Sequence, residues 1–290
     1  MLTRRAFAVL LLMAAAGQAG CSSAGWSTVK GSQSLERDHL AASPLRAETV
    51  NGSITIKGGH GDLVAISADI RARSAERLQL VELRAERQDD GVLKVWIDWP
   101  DGSRLSNEGA SLTILLPDVQ DLTAKTSNGS IRVESASGDA DLTTSNGSIT
   151  VTNQDGAVRA ASSNASITIT SPVGEVDLST SNGRIQVSDA HAGVKARSSN
   201  GSITVALEPD AAGPVDLATS NGSVRLTVGA AFAGELGLST SNGRISLPSS
   251  GATIVSQSRS RATLRFGAPA DAQSDSRVAT SNGSITIEYR

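Results

Sequence analysis

The chain has 290 residues, with Lys+Arg 26 against Asp+Glu 29 and a formal net charge of -3. That balance offers no general attraction to nucleic acid or acidic lipid, so neither is an expected partner on electrostatic grounds. Aromatic residues are only 2% of the total, so a core must come from Ile, Val, Leu, Ala and buried Thr, and only Trp26, Trp96 and Trp99 are left for stacking on sugars or bases.

Residues 1–20 read as an export signal. Arg4 and Arg5 precede an apolar run, Ala6–Ala16, that is short for a membrane span. The stretch "TRRAF" also looks like a twin-arginine signal. "QAGC" follows and ends in the single cysteine, Cys21. Ala19 and Gly20 before it resemble the bacterial lipobox, which implies acylation of Cys21 and cleavage in front of it. Gln18 departs from that pattern, and the competing reading is an ordinary secretory signal with a leftover cysteine. Acylation would make membrane lipid a partner through Cys21 and place the protein in the bacterial cell envelope, at the outer membrane, the cell surface or a periplasmic face. Residues 21–45, rich in Ser, Gly and Ala, read mostly as a spacer.

Residues 46–120 keep a strand rhythm. Val64, Ile66, Ala68 and Ile70 alternate, as do Leu93, Val95, Ile97 and Trp99. Between them Ser74–Leu80 suits one or two helical turns inside the densest charge of the chain. The segment is expected to be strands with a short helix, covering one end of the repeats that follow.

Residues 121–290 repeat the stretch "TSNGSI", whole or nearly so. With one earlier copy, its asparagines are Asn51, Asn128, Asn146, Asn164, Asn182, Asn200, Asn221, Asn242 and Asn282. The four steps from Asn128 to Asn200 are each 18 residues, the next two are 21, and the last is 40. That last gap holds a degenerate copy, "SRATLRF", with Arg261 in the asparagine's place. The position three after each asparagine is Ile or Val, giving two short strands per unit around an Asn corner.

Two architectures compete. Asn-Gly is a strong hairpin signal and would give an antiparallel β meander. The other is an all-β parallel β-solenoid of ~18–21-residue coils with an N-terminal strand-rich cap. Stacking is favoured because a meander leaves one apolar face uncovered, and because Ala165 stands where a type I′ turn needs positive φ. Five residues before successive asparagines stand Asp141, Arg159, Asp177, Lys195 and Asp216, alternating in sign as a stacked ladder would prefer. The next inward column alternates small and large: Ala124, Leu142, Ala160, Leu178, Ala196, Leu217. The same alternation also fits two units per 36-residue coil, which would set like charges over one another.

Strings such as "GDADLTTSNGSITV" and "GPVDLATSNGSVRL" resemble the bacterial "putative adhesin" repeat domains over about residues 47–290. The resemblance implies a β-solenoid in the cell envelope and supplies no catalytic residues.

No enzyme, cofactor or metal is expected. His39, His60 and His191 fit no metal or triad spacing. Asp141 and Asp177 would lie two rungs, roughly 9.5 Å, apart, near the separation used for inverting glycoside hydrolysis. Arg159 between them would keep both ionised, which works against such an acid–base pair. The asparagines are expected to satisfy backbone groups at the corners. Insertions fall in the second loop of each unit, at Ala206–Pro214 and Thr227–Glu235, and are expected to form a working face. The first functional reading is therefore a membrane-anchored adhesion or binding module that uses these loops on an envelope protein or glycan. The second is a self-assembling scaffold, a homo-oligomer paired through a final repeat that runs to the chain end without a cap. A polysaccharide hydrolase or lyase is the third.

Overall fold

The computed structural model describes residues 28–41, 43–267 and 276–290. Arg4, Arg5 and Cys21 lie outside the described residues. Among the described residues no helix is long and apolar enough to cross a membrane.

The strands preceding each asparagine form a 13-stranded leading sheet, and those following it form a 12-stranded trailing sheet. Six consecutive coils, from Leu122–Lys125 to Val224–Val228, give one strand to each. Within them pairing is parallel, and in the 18-residue units Asp141 faces Arg159 and Ile149 faces Ile167. One 18-residue unit is thus one coil, and neither the 36-residue coil nor the antiparallel meander applies. Alternation is the cause: in Val176–Thr180 residues 176, 178 and 180 are buried, and in Ile185–Ala190 residues 185 and 187 are. Ile131, Ile149, Ile167, Ile185 and Ile203 are at most 1% exposed and form a column between the sheets. Burying each contributes about 1.5–3 kcal/mol. Opposite them Leu142 lies in register with Ala124 and Ala160, and Leu178 with Ala160 and Ala196, so large side chains fill the space left by small ones.

At both ends the stacking order departs from the chain order. Near the N-terminus the coil Leu45–Glu48/Ile54–Lys57 lies between the Leu122 coil and another built from Leu93–Asp98 and Gly109–Leu115. Two coils of the stack therefore fall within residues 46–120. Outside them Leu63–Ala72 and Val29–Asp38 add antiparallel strands to the trailing sheet, and Glu82–Arg87 adds one to the leading sheet. Helix Ala75–Leu80 is capped by Ser74, whose side chain accepts from Arg77 N. Val29–Asp38 corrects the expectation of a spacer there. Its alternation is hidden because one of its two buried residues is Gln33, the other being Leu35.

The final repeat does not end the stack. Ser276–Thr280 and Ile285–Tyr289 lie between the Val215–Val228 coil and the coil of Gly234–Thr240 and Ile245–Ser246, paired on both sides. The uncapped final coil is thereby corrected. "SRATLRF" is not a degenerate coil either: Arg261–Phe266 runs antiparallel to Gly234–Thr240, with Arg261 opposite Ser239. Beyond it Thr253–Gln257 closes the leading sheet.

Candidate functional site

The corner after each leading strand is built by three columns. Asn128 Nδ2 donates to Asn51 Oδ1 at 2.5 Å, and the same bond recurs from Asn146 to Asn128 at 2.7 Å and from Asn164 to Asn146 at 2.7 Å. It continues through Asn182, Asn200, Asn221, Asn282 and Asn242 at 2.8–2.9 Å, in stacking order rather than chain order. All nine predicted asparagines thus share one ladder. Their amides bond mainly to each other, whereas the expectation was backbone. Asn51, at the start of the ladder, donates to Glu108 O at 3.0 Å.

The backbone falls to a second, buried column that the sequence reading missed. Thr180 Oγ1 donates to Ala165 O at 3.2 Å and accepts from Gly183 N at 3.1 Å. Thr144, Ser162, Ser198 and Thr219 make the same pair of bonds in their coils, and Thr126, Thr240 and Thr280 donate likewise. The signal was present, since two residues before every asparagine from Asn128 onward stands Thr or Ser. Removing the Thr180 hydroxyl takes the partner from two backbone groups, the buried Gly183 N–H and the part-buried Ala165 carbonyl. Thr180→Val should cost about 2 kcal/mol, and Thr180→Ser much less, measured as the shift of the urea midpoint.

The third column is glycine, and positive φ is not its reason. None of the corner glycines is among the residues of positive φ. A Cβ on Gly147 would sit 1.8 Å from Gly129 O, so glycine lets one corner lie directly on the next. That is why Asn-Gly here marks a stacked corner and not a hairpin.

Outside these columns the corner carries an exposed line of serines, Ser145, Ser163, Ser181, Ser199 and Ser220. With Thr143, Ala161, Ser179, Arg197 and Ala218 they line an open groove of about 600 Å³ that crosses five coils. The predicted charge column runs along the same sheet: Asp141, Arg159, Asp177, Lys195 and Asp216 are successive register partners, and Arg277 follows them. Lys195 Nζ lies 2.9 Å from Asp177, whereas Asp216 pairs with Arg197 at 2.6 Å, across to the neighbouring column. These are surface pairs, each stabilising by about 0–1 kcal/mol.

The histidines lie apart: His39 faces Asp118 at 3.2 Å, His60 Nδ1 lies 2.8 Å from Gly58 O, and the exposed His191 donates its backbone N–H to Pro172 O at 3.1 Å. Among the described residues no group of three His, Cys, Asp or Glu side chains is placed to hold a metal.

The insertion loops turn inward more than a working face would. Ala211 and Phe232, one from each insertion, are 1% exposed. Phe232 meets Phe266 edge to face at 5.2 Å, and Phe266 stacks on Tyr289 at 6.5 Å. Three of the chain's seven aromatic residues are thus gathered at this end of the core. Pro209, Asp210, Ala212, Pro214, Ala230, Ala231 and Glu235 are what these loops leave exposed.

Among solved structures, a "putative adhesin" from Bacteroides fragilis NCTC 9343 is 14% identical at a TM-score of 0.47, covering 89% of this chain and 97% of its own. A "putative lipid binding protein" from Parabacteroides distasonis ATCC 8503 is 12% identical at 0.38, with 89% and 96% covered. A "putative cell adhesion protein" from Clostridium sporogenes ATCC 15579 is 12% identical at 0.28, with 91% and 100% covered. No curated protein matches the chain. The family model described as Toastrack DUF4097 matches residues 53–288, and with its asparagine-cornered coils the chain belongs to that family.

Proposed function

We propose that this protein is a non-catalytic binding module of the bacterial cell envelope, held by lipid at Cys21, which takes a linear, hydroxyl-rich glycan along its serine groove. The groove carries the reading. It crosses five coils and repeats a hydroxyl at every rung, about 4.8 Å apart. A regular row of small donors and acceptors suits a polymer of repeating polar units better than a compact ligand. Arg197, within the groove, adds a fixed donor fork for a sugar acid or hydroxyl pair. No aromatic side chain lines the groove, so affinity must come from many hydroxyl and water-bridged contacts, each small.

The test is retention on envelope polysaccharide and on peptidoglycan sacculi. Ser163→Tyr with Ser199→Tyr fills the groove at two exposed positions, and retention is expected to fall at least tenfold with the melting temperature unchanged. Charging the exposed loop positions, with Asp210→Lys, Ala212→Lys and Ala230→Lys, should leave retention intact. Retention that survives the tyrosines but is lost with the lysines would return the binding surface to the loops. No retention of the unaltered protein on either material would overturn the glycan reading.

A further inference from the structure

The two ends of the leading sheet are finished differently. At the N-terminal end Glu82–Arg87 is the outermost strand, yet side chains occupy its free edge. The Gln33 amide donates to Val81 O at 2.6 Å and accepts from Leu83 N at 2.7 Å, and Arg37 Nε donates to Ala85 O at 2.9 Å. An added strand would need those same three backbone groups. Leu78 of the helix packs on Gly31 beside them, where a Cβ would lie 3.0 Å from its side chain.

At the opposite end, among the described residues, Thr253–Gln257 pairs only with Arg261–Phe266, and all five of its residues are exposed. Ile254 is 51% exposed and Val255 46%, although Ile254 lies in register with the buried Leu264. The trailing sheet stops at Ile245–Ser246, so the leading sheet continues two strands further without one facing it. The strand itself, TIVSQ, has neither a charge nor a proline, two of the usual protections of an edge. The shift of register between Ile254 and Ser256 leaves Val255 with no partner across the strand.

We propose that this tip is a homotypic contact, in which two copies pair their Thr253–Gln257 strands antiparallel and join tip to tip. Three observations select a second copy as the occupant. The strand is short, uncharged and β-branched at its centre, so it can pair with itself about Val255. The edge that a head-to-tail neighbour would need is the one taken by Gln33 and Arg37, so assembly closes at two by a twofold axis. Arg259, exposed beyond the strand, lies four residues from Val255. Its two copies would fall on opposite sides of the axis, up to roughly 25 Å apart, against a screening length of about 8 Å. The contact rests on the tip alone and does not depend on the glycan groove. Combined with anchorage at Cys21, it would join two molecules whose membrane ends point away from each other.

Sedimentation velocity of the full chain in detergent, over a wide concentration range, tests this. A monomer–dimer equilibrium is expected, with Ile254→Lys plus Val255→Lys raising its dissociation constant at least tenfold and leaving the melting temperature unchanged. In a Cys21→Ser background, Val255→Cys should form an interchain disulfide in air, and Glu86→Cys at the sealed end should not. A strictly monomeric protein, a dimer that persists in the double lysine variant, or equal cross-linking at Glu86→Cys would each overturn the proposal.

Discussion

Ile185→Asp is expected to unfold the middle of the stack at neutral pH, costing about 5 kcal/mol, whereas Arg184→Asp next to it should cost under about 0.5 kcal/mol. Ile185 is 0% exposed and lies in register between Ile167 and Ile203, so its replacement removes an apolar side chain from a closed column and puts a carboxyl there with no partner. Arg184 is exposed. The urea midpoint and amide exchange in residues 167–207 measure the difference. Because each coil contacts only its neighbours, protection should be lost first in the adjoining coils and last at the ends. Equal effects at the two positions would mean that the apolar column is not the core.

Glu108→Gln should cost about 3 kcal/mol at pH 7, and the cost should vanish in acid. Glu108 is 0% exposed and accepts from Arg77 Nε at 2.7 Å, Arg77 Nη2 at 3.0 Å, Leu105 N at 2.9 Å and Arg73 N at 3.1 Å. Burial alone would raise its pKa, but the Arg77 bonds and the two backbone N–H groups outweigh it and lower the pKa from 4.5 to about 2. A folded-state pKa below the unfolded one stabilises the native state above pH 4.5, and that contribution is lost progressively as the pH falls to about 2. The free energy involved is about 3 kcal/mol. Stability of the unaltered protein should therefore fall across that window while Glu108→Gln stays flatter, the two curves converging near its acid end. Parallel curves would show that the Arg77–Glu108 pair does not tie the helix and the loop before Gly109 to the stack.

The repeating part of the chain was legible because stacking turns sequence period into vertical columns. The Ile ladder, the sign alternation from Asp141 to Asp216, and the Ala–Leu alternation each have one physical cause, contact with the same position in the next coil. What was hidden had equally definite causes. Val29–Asp38 looks like a linker because Gln33, a polar residue, is buried where it caps another strand's edge. The threonines and serines before each asparagine look like ordinary corner residues until Gly129 O and its equivalents are seen beneath them. The inward turn of the insertions depends on Phe232 meeting Phe266 from a strand that the repeat pattern misassigned. Stacking order could not be read at all, because Ile285 fits upon any isoleucine of the column, and only the 40-residue gap before Asn282 hinted at a detour.

The coil of Ser276–Tyr289, wedged between two coils made earlier in the chain, constrains how this molecule can mature. A solenoid stacked in chain order can be completed rung by rung as the polypeptide emerges. Here the strand Val224–Val228 has no neighbour on its far side until Ile285–Tyr289 arrives, after Gly234–Thr240 and Arg261–Phe266 have already been made. That end of the stack therefore closes only after residues 276–289 have been delivered, and loss of those two strands removes a keystone from between two coils.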